Sequence, residues 1–328
     1  MNPVTARACC RLDLAGGTLD IWPLGLLHPG ARTVNVAIDI EVTVRLERRD
    51  RGFRVRQGET VHEAPTPAEL RASPDTALVG VVAEELGLPP CEVVLASESP
   101  RGGGLGASSA MMVALLAAGE ALVGRDSSSP ARLARVARDL EAQMMGLPTG
   151  LQDHYPALLG GALEIRHEPG GERVQPLRVD LAELGDHLVV VYSGQSHFSA
   201  ATNWQIIRRR LESDPETTLL LDGIAAAAAE LPAALEAGDY PRVGELVARE
   251  WSCRSRLAGE VSTPQIERLL GEARSLGAWG GKACGAGGGG CVLILYPPER
   301  RQAIAQGVAR LGGQVLAARP SKKPLRVT

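Results

Sequence analysis

Residues 100 to 110 combine glycines and two serines directly before an apolar stretch. They read Pro-Arg-Gly-Gly-Gly-Leu-Gly-Ala-Ser-Ser-Ala and are followed by Met-Met-Val-Ala-Leu-Leu-Ala-Ala. Glycines let backbone N–H groups approach an anion closely, and a helix that follows directs the positive end of its dipole to the same point. The pattern predicts a phosphate-binding loop. Its alternative is a glycine-rich turn that caps a core helix.

The nucleotide-binding residues predicted from this loop form one continuous segment. Ser108 and Ser109 fall in the first turn of the predicted helix, where a hydroxyl accepts a capping hydrogen bond or holds a cation bound to phosphate. The Gly-Lys-Ser/Thr ending of a P-loop does not occur here. The segment consists of Pro100, Arg101, Gly102, Gly103, Gly104, Leu105, Gly106, Ala107, Ser108 and Ser109.

Two carboxylates, Glu141 and Asp153, stand on either side of a Leu-Pro-Thr-Gly turn. Phosphoryl transfer needs a cation that bridges the phosphates, and a group that orients or deprotonates the attacking hydroxyl. Two carboxylates can divide these tasks. A solvent-exposed helix residue is the alternative for Glu141, whereas Asp153 lies in an apolar, glycine-rich setting that indicates a functional site. His154 is interpreted as a hydrogen-bonded cleft residue rather than a second base.

The N-terminal segment carries a third group of polar residues. It alternates like a strand up to residue 14 and then breaks into a Gly-Gly turn. The strand end brings Arg11, Asp13 and Asp20 close together, and these side chains suit a polyhydroxylated ligand or the screening of phosphate charge. The alternative is an edge strand with a solvated face.

A second glycine-rich segment lies near the C-terminus. It reads Gly281-Lys-Ala-Cys-Gly-Ala-Gly-Gly-Gly-Gly-Cys291 and leads into the apolar strand Val-Leu-Ile-Leu. Ordering four consecutive glycines costs backbone entropy, so their presence indicates a close approach of the backbone to another group. We expect Gly287 and Gly288 to contact the substrate. Lys282, beside this loop, is one of three lysines in the chain.

These segments, in this order, resemble the signature motifs of the GHMP kinases, named for galactokinase, homoserine, mevalonate and phosphomevalonate kinases. The family's central motif, Pro-x-x-x-Gly-Leu-Gly-Ser/Ala-Ser-Ser/Ala, matches residues 100 to 110 almost letter for letter. The segments Leu-Ala-Gly-Gly-Thr-x-Asp and Gly-Leu-Gln-Asp-His look most like the sugar kinase branch, which includes heptose-7-phosphate kinase and fucokinase relatives. The resemblance covers nearly the whole chain and is looser between residues 170 and 275.

The resemblance implies ATP and Mg²⁺ as cofactors and assigns a role to each matching residue. Asp153 takes the role of the base, and Arg11 that of the basic residue beside it. Ser108 and Glu141 take the role of Mg²⁺ ligands, and Asp20 that of a ligand to sugar hydroxyls. Galactokinases carry Glu-His where this chain has Gly17 and Thr18, which argues against galactose as the acceptor. The predicted substrate contacts are Asp13, Gly17, Thr18, Asp20, His154, Gly287 and Gly288.

Composition limits the class of protein. At 328 residues the chain exceeds the usual size of one core, so two domains are expected. With 35 basic and 38 acidic residues, neither nucleic acid nor an anionic membrane is an expected partner. The six cysteines show no metal-binding or disulfide spacing. From the first residues we expect no signal peptide. We therefore expect a cytoplasmic monomer or homodimer.

Mixed strands and helices without a repeat predict an α+β fold. The resemblance implies the two-domain GHMP kinase fold: a βαβ-type N-terminal nucleotide domain (1–170), a ferredoxin-like C-terminal domain (171–328), and an active site in the cleft between them. Strands are predicted at 4–14, 33–56, 91–97, 156–166, 187–193, 290–296 and 313–318. Helices are predicted at 67–87, 107–123, 130–145, in a broken stretch over 199–276, and at 298–311.

The predicted function is ATP-dependent phosphorylation of a sugar or sugar phosphate. Its alternatives are a mevalonate-type or other non-sugar alcohol kinase, and a catalytically silent sensor of ATP and sugar. Gly106-Ala-Ser-Ser-Ala110 partly imitates the nucleophile elbow of a serine hydrolase, but the last glycine of that motif is missing. Arg208-Arg-Arg210 could bind a phosphate of the acceptor or form a solvated helix face.

Overall fold

The computed structural model of the protein describes residues 2–125, 128–196 and 200–328. Its strands form two sheets, and helices pack against both, as predicted for an α+β fold. The strands are β1 (Val4–Ala15), β2 (Arg32–Arg48), β3 (Phe53–Gln57), β4 (Thr60–Ala64), β5 (Cys91–Ser97), β6 (Ala162–Glu168), β7 (Gly171–Pro176), β8 (Leu188–Tyr192), β9 (Gly280–Ala283), β10 (Cys291–Leu295), β11 (Gln314–Leu316) and β12 (Arg326–Val327).

The helices divide between the two halves of the chain. A short 3-10 turn, Pro298–Arg300, precedes the last of them. The helices are α1 (Leu24–Leu27), α2 (Pro67–Ala72), α3 (Ala77–Leu86), α4 (Ala107–Val123), α5 (Pro130–Met145), α6 (His154–Leu159), α7 (Leu181–Asp186), α8 (Ala200–Leu211), α9 (Pro215–Glu236), α10 (Tyr240–Arg254), α11 (Pro264–Ser275) and α12 (Arg301–Arg310).

The first sheet is built around the long strand β2. Its strand order is β12-β1-β2-β5-β3-β4, and β6 and β7 extend from the first half of β2. β2 pairs with β6 through residues 32–36 and with β5 through residues 42–48, while β1 runs antiparallel along both halves. β3 and β5 pair in parallel and are connected through β4, α2 and α3, which gives the βαβ-type arrangement predicted for this domain.

The second sheet is antiparallel, with the order β11-β8-β10-β9. Numbered within this sheet, the order is 4-1-3-2. Helices separate its first two strands, and α12 separates its last two. This βαββαβ arrangement is the ferredoxin-like topology that the resemblance implied. α10 and α11 pack against β9 and β10 and carry buried residues such as Leu246 and Leu269.

Several predicted elements have different bounds in the structure. Residues 156–166 were predicted as one strand, but α6 ends at Gly160 and β6 begins at Ala162, because a short apolar run suits either element and Pro156 is tolerated in a first helical turn. The predicted strand 33–56 breaks after Arg48, and the predicted helix 67–87 breaks at residues 73–76. The predicted start of the helical stretch at residue 199 lies outside the described residues.

The turn at Pro169–Gly171 joins β6 to β7, and both strands belong to the first sheet. The C-terminal tail also returns to that sheet, because Ser321 N–H donates to the Ala37 carbonyl and β12 pairs with β1. A division at 170/171 therefore stays a prediction, and it would cut through a hairpin.

α9 is the one helix of the described part that is long and apolar enough to span a membrane, with a mean hydropathy of 1.5. Length and composition alone cannot separate such a helix from a core helix. Its buried residues Leu221, Ile224 and Leu231 face the interior, and the helix packs against α10 and β2. We therefore interpret α9 as a core helix.

Candidate active site

The glycine-rich loop leads directly into α4. Gly103 N–H donates to the Pro100 carbonyl oxygen at 3.0 Å, and Gly104 and Gly106 have φ values of 70° and 72°. Gly106 occupies the N-cap position of α4 and supplies no side-chain cap. The first N–H groups of α4 therefore have no capping side chain, and they form an electropositive helix start that suits a phosphate.

Arg11 connects this loop to Asp153. The Arg11 side chain is 3% exposed; its Nε donates to Asp153 Oδ1 at 2.7 Å and its Nη1 donates to the Gly104 carbonyl oxygen at 2.6 Å. A Cβ on Gly106 would lie 3.2 Å from Asp153 Cγ and 3.3 Å from Arg11 Cγ. The loop backbone thus packs on the ion pair, and the Asp153 carboxylate, 24% exposed, lies beside the start of α4.

Glu141 lies on α5 and is 5% exposed, so it is not the solvated helix residue of the alternative interpretation. Its Oε2 accepts a hydrogen bond from Ser109 Oγ at 3.1 Å and lies 3.2 Å from His154 Nε2. Ser108 is exposed, because neighbouring residues of a helix point in different directions. Burial lowers the pKa of His154, but the carboxylates led by Glu141 outweigh this effect, and the pKa is raised.

Asp20 is 8% exposed and lies against the turn that precedes Asp153. Its Oδ2 accepts the Gln152 N–H at 3.0 Å, and Asn35 Nδ2 donates to the Gln152 carbonyl oxygen at 2.8 Å. A Cβ on Gly150 would lie 1.7 Å from Asp20 Oδ2, so this contact requires a glycine. Burial raises the pKa of Asp20 to about 6, against the opposing effect of the Gln152 N–H.

Lys282 joins the two sheets through buried ion pairs. Its Nζ lies 3.0 Å from Asp13 Oδ2 on β1 and 3.1 Å from Glu250 Oε1 on α10, and all three side chains are 0% exposed. Burial raises the pKa of Asp13, but Lys282, Arg254 and Arg11 outweigh it, so the pKa is lowered. Asp13 was predicted to bind substrate, and one of its two oxygens is held by Lys282 instead.

Arg254 continues this charge network on α10. Its Nε donates to Glu250 Oε1 at 2.8 Å, its Nη1 to Thr18 Oγ1 at 2.9 Å and its Nη2 to the Gly17 carbonyl oxygen at 2.7 Å. Thr18 adopts a φ of 72°, a conformation that the two arginine hydrogen bonds stabilise. The polar groups of Gly17 and Thr18, predicted to meet the substrate, therefore bind Arg254.

The second glycine-rich loop packs on the first. Cys291 N–H donates to the Gly103 carbonyl oxygen at 2.9 Å. Gly288 N–H donates to the Val261 carbonyl oxygen at 2.7 Å, and a Cβ on Gly287 would lie 2.2 Å from that oxygen. The close approach predicted for the backbone of this second loop is thus made to other backbone segments of the protein. A contact of Gly287 and Gly288 with substrate stays a prediction.

The contact between the two glycine-rich loops makes Gly104→Ala a suitable test of nucleotide binding by the first loop. A Cβ there would lie 2.4 Å from the Cys284 carbonyl oxygen, and the φ of 70° adds strain. We expect a lower thermal midpoint and a Kd for ATP raised by about tenfold or more, which corresponds to about 1.4 kcal/mol. Calorimetry and thermal unfolding measure both.

Gly124→Ala is the matched control, because Gly124 ends the same helix with a φ of 74° and has nothing within 4 Å of its Cβ position. It carries the same backbone strain without the clash. Equal losses of ATP affinity in the two variants would contradict a role of the loop in nucleotide binding.

The arginine run on α8 serves structural contacts. Arg208 pairs with Glu212 on the surface, Arg209 donates to the Leu257 carbonyl oxygen, and Arg210 contacts the loop before β2. The solvated-face interpretation is therefore the better one for Arg208. Arg209 binds a backbone carbonyl, and Arg210 binds both the His28 ring and the Leu27 carbonyl oxygen.

Sequence reasoning missed most of the network around Lys282. Glu250 and Arg254 have the i, i+4 spacing of an ordinary exposed pair, and Asn35 is one of several polar residues in its predicted strand. Lys282 itself was the available signal. It lies at the start of the second glycine-rich segment, and lysine is rare in this chain.

Comparisons with known proteins agree with this architecture. Two family profiles match, GHMP kinases N terminal domain over residues 76–161 and GHMP kinases C terminal over residues 231–314. A mevalonate kinase of Pyrococcus abyssi is 30% identical over 244 residues, covering 72% of this chain and 68% of that kinase. A D-glycero-alpha-D-manno-heptose 7-phosphate kinase of Campylobacter jejuni is 24% identical over 224 residues, covering 67% of this chain and 65% of that kinase.

A solved structure shares the fold over its full length. The crystal structure of a D-glycero-D-manno-heptose 1-phosphate kinase from Bacteroides thetaiotaomicron aligns with a TM-score of 0.79 at 19% identity. The alignment covers 99% of this chain and 98% of that one. The predicted two-domain fold is confirmed.

Proposed function

The chain belongs to the GHMP kinase family, and from this premise we propose that it transfers the γ-phosphoryl group of ATP to a hydroxyl of a sugar or sugar phosphate. Such a transfer needs a cradle for the phosphates and a proton acceptor beside it. One observation carries the proposal: Arg11 binds both the Gly104 carbonyl of the glycine loop and the Asp153 carboxylate. A proton acceptor therefore stands beside the phosphate-binding loop.

Each group of this site performs one part of the reaction. The N–H groups at the start of α4 bind phosphate oxygens. Asp153 accepts the proton of the acceptor hydroxyl as the new oxygen–phosphorus bond forms and the bond from the γ-phosphorus to the bridging oxygen of the departing ADP breaks. Arg11 fixes the orientation of that carboxylate with its guanidinium. Because Asp153 remains partly exposed, an acceptor can reach it.

Glu141 and Ser108 would hold Mg²⁺, which when bound neutralises charge on the ATP phosphates. The donors suit the ion, because Mg²⁺ beside a nucleotide is usually held by one or two carboxylates together with hydroxyl, phosphate and water oxygens. Glu141 contacts the first turn of α4 through Ser109, the neighbour of Ser108. The described residues include no group of three or more His, Cys, Asp or Glu side chains placed to hold a metal.

Glu141→Gln is expected to raise the Mg²⁺ concentration for half-maximal activity by about tenfold or more, the usual scale for a lost supporting group. The isosteric amide keeps a hydrogen-bond acceptor for Ser109 but removes the charge. Metal titrations of activity, and of the thermal shift caused by ATP, measure the effect. Asp139→Asn is the control, since Asp139 lies on the same helix with a side chain 61% exposed. Identical titrations for both variants would assign Glu141 a purely structural role.

The sugar assignment is supported by Asp20, Asn35 and Gln152, which place buried oxygen atoms beside Asp153. Sugars present many hydroxyl groups that bind such oxygens. The mevalonate-type alternative is supported by the 30% identity to the mevalonate kinase of Pyrococcus abyssi. A catalytically silent sensor of ATP and sugar is less well supported, because Asp153 and Arg11 form the ion pair that would serve the transfer reaction.

A panel of acceptors tests the function. ADP release is measured with hexoses, heptose 7-phosphate, mevalonate and small amino alcohols, each with and without Mg²⁺. Acceptor-dependent ADP release, with a phosphorylated product seen by phosphorus NMR, is the expected result. ATP binding without turnover on any acceptor would support the sensor instead.

The cytoplasmic location and the monomeric or dimeric state stay predictions.

A further inference from the structure

The region around Asp153 contains buried oxygen atoms that lack hydrogen-bond partners. Within the described residues these atoms are Asp13 Oδ1, Asp20 Oδ1, Asn35 Oδ1 and Gln152 Oε1. Asp13 and Asn35 are 0% exposed and Asp20 is 8% exposed. Leaving a buried polar atom unpaired is costly, so a group of them indicates a ligand that pairs with them.

The four side chains lie close together. Asp20 and Asn35 both bind the backbone of Gln152, at 3.0 and 2.8 Å. A Cβ on Gly17 would lie 2.7 Å from Asp13 Oδ2 and 3.1 Å from Gln152 Oε1. The four side chains therefore belong to one polar cluster, and Gln152 directly precedes Asp153 in the chain.

The cations near this cluster are already paired with carboxylates. Arg11 binds Asp153, while Lys282 and Arg254 bind Glu250, and Lys282 also binds Asp13. His154, the remaining basic group among the described residues here, lies 3.2 Å from the Glu141 carboxylate. Within the described part of the chain, the cluster thus offers hydrogen-bond acceptors, and each cation beside it is already paired with a carboxylate.

We infer that the phosphate acceptor is an uncharged polyhydroxylated molecule, such as a free sugar or polyol, rather than a carboxylate or a phosphate ester. The inference rests on the proposed function and narrows it. Hydroxyl groups donate to the oxygens of Asp20, Asn35 and Gln152 and satisfy them. A carboxylate or phosphate would lose its hydration and meet the negative charge of Asp20, and no cation of the cluster within the described residues is free to pair with it.

Matched pairs of acceptors that differ in charge test this inference. One pair is a heptose and its 7-phosphate; another is 3-methylpentane-1,3,5-triol and mevalonate. We expect kcat/KM for the better uncharged member to exceed that of its charged partner by at least about tenfold, measured by ADP release. A preference for the charged member would overturn the inference and leave the kinase function intact. Absence of ADP release with every acceptor of these pairs and of the wider panel would overturn both the inference and the proposed kinase function.

Asp20→Asn provides a test in the protein. Since hydrogen bonds to a charged acceptor are the stronger ones, we expect KM for the uncharged acceptor to rise about tenfold or more, with KM for ATP unchanged. KM for a charged acceptor should fall or stay the same, because a repelling charge is lost. An unchanged KM for the uncharged acceptor would overturn the inference.

Two further variants keep this test decisive. Glu120→Gln is the matched control, because Glu120 is a buried carboxylate paired with Arg132 far along α4, outside the cluster. Glu120→Gln is expected to leave both KM values unchanged.

Gln152→Leu replaces Asp20→Asn if the latter lowers the thermal midpoint more than Glu120→Gln does. The leucine removes one unpaired oxygen and keeps the backbone contacts of residue 152. It is expected to raise KM for the uncharged acceptor in the same way, and an unchanged KM would overturn the inference.

Discussion

Asp153→Asn is expected to lower turnover by about 10²-fold or more, the usual scale for a positioned base. The asparagine keeps the shape of the side chain and can still accept from Arg11 Nε, which lies 2.7 Å from Asp153 Oδ1. It can no longer take up the proton of the acceptor hydroxyl. Because the side chain does not belong to the glycine loop, KM for ATP should change little. Steady-state kinetics with the best acceptor of the panel separate kcat from both KM values.

Arg11→Ala completes this test. Arg11 fixes the carboxylate and also binds the Gly104 carbonyl, so its loss should lower kcat and weaken ATP binding together. The double variant with Asp153→Asn should lose less than the product of the two single effects, because the residues act as a unit. Near-full turnover of Asp153→Asn would show that Asp153 does not act as a base. The rate enhancement would then come from positioning and charge neutralisation.

Lys282→Met is expected to destabilise the protein by about 3–5 kcal/mol, the cost of removing one partner from a buried charge network. Lys282 contacts Asp13 and Glu250 at 3.0 and 3.1 Å, and all three side chains are 0% exposed. Without the lysine, Asp13 loses its nearest cation, and Glu250 keeps only Arg254. Unfolding in urea, followed by circular dichroism, measures the change in the free energy of unfolding.

Two variants separate the charge effect from lost packing. Adding Asp13→Asn to Lys282→Met removes one uncompensated charge and should restore part of the lost free energy. Arg208→Met removes a cation from the exposed pair with Glu212 and should change stability little. If the double variant is less stable than Lys282→Met by the full effect of Asp13→Asn alone, the ion pair between Asp13 and Lys282 does not stabilise the fold.

The helices beside the site were predictable because their signals are local. α4 and α5 have the predicted bounds: Gly124 and Gly146 follow their last residues in the left-handed conformation, and Pro130 begins α5. The boundary between α6 and β6 was not predictable, since residues 156–166 form one apolar run that suits a helix or a strand. Gly160 ends the helix there, and tertiary contacts with the C-terminal tail keep a side chain out of its position.

Residue types and spacing alone identified the candidates for chemistry: the glycine loop before α4, the carboxylates around the Leu-Pro-Thr-Gly turn, and Arg11. Their types and spacing are local properties that a motif displays. The contacts of these side chains became known from the folded chain. Lys282 meets Asp13 across 269 residues, and Arg254 meets Gly17 across 237 residues. The structure also paired Ser109 rather than Ser108 with Glu141. These partners follow from burial. A buried charge is costly unless it is paired, and the packing of the two sheets determines which opposite charges lie close enough to pair.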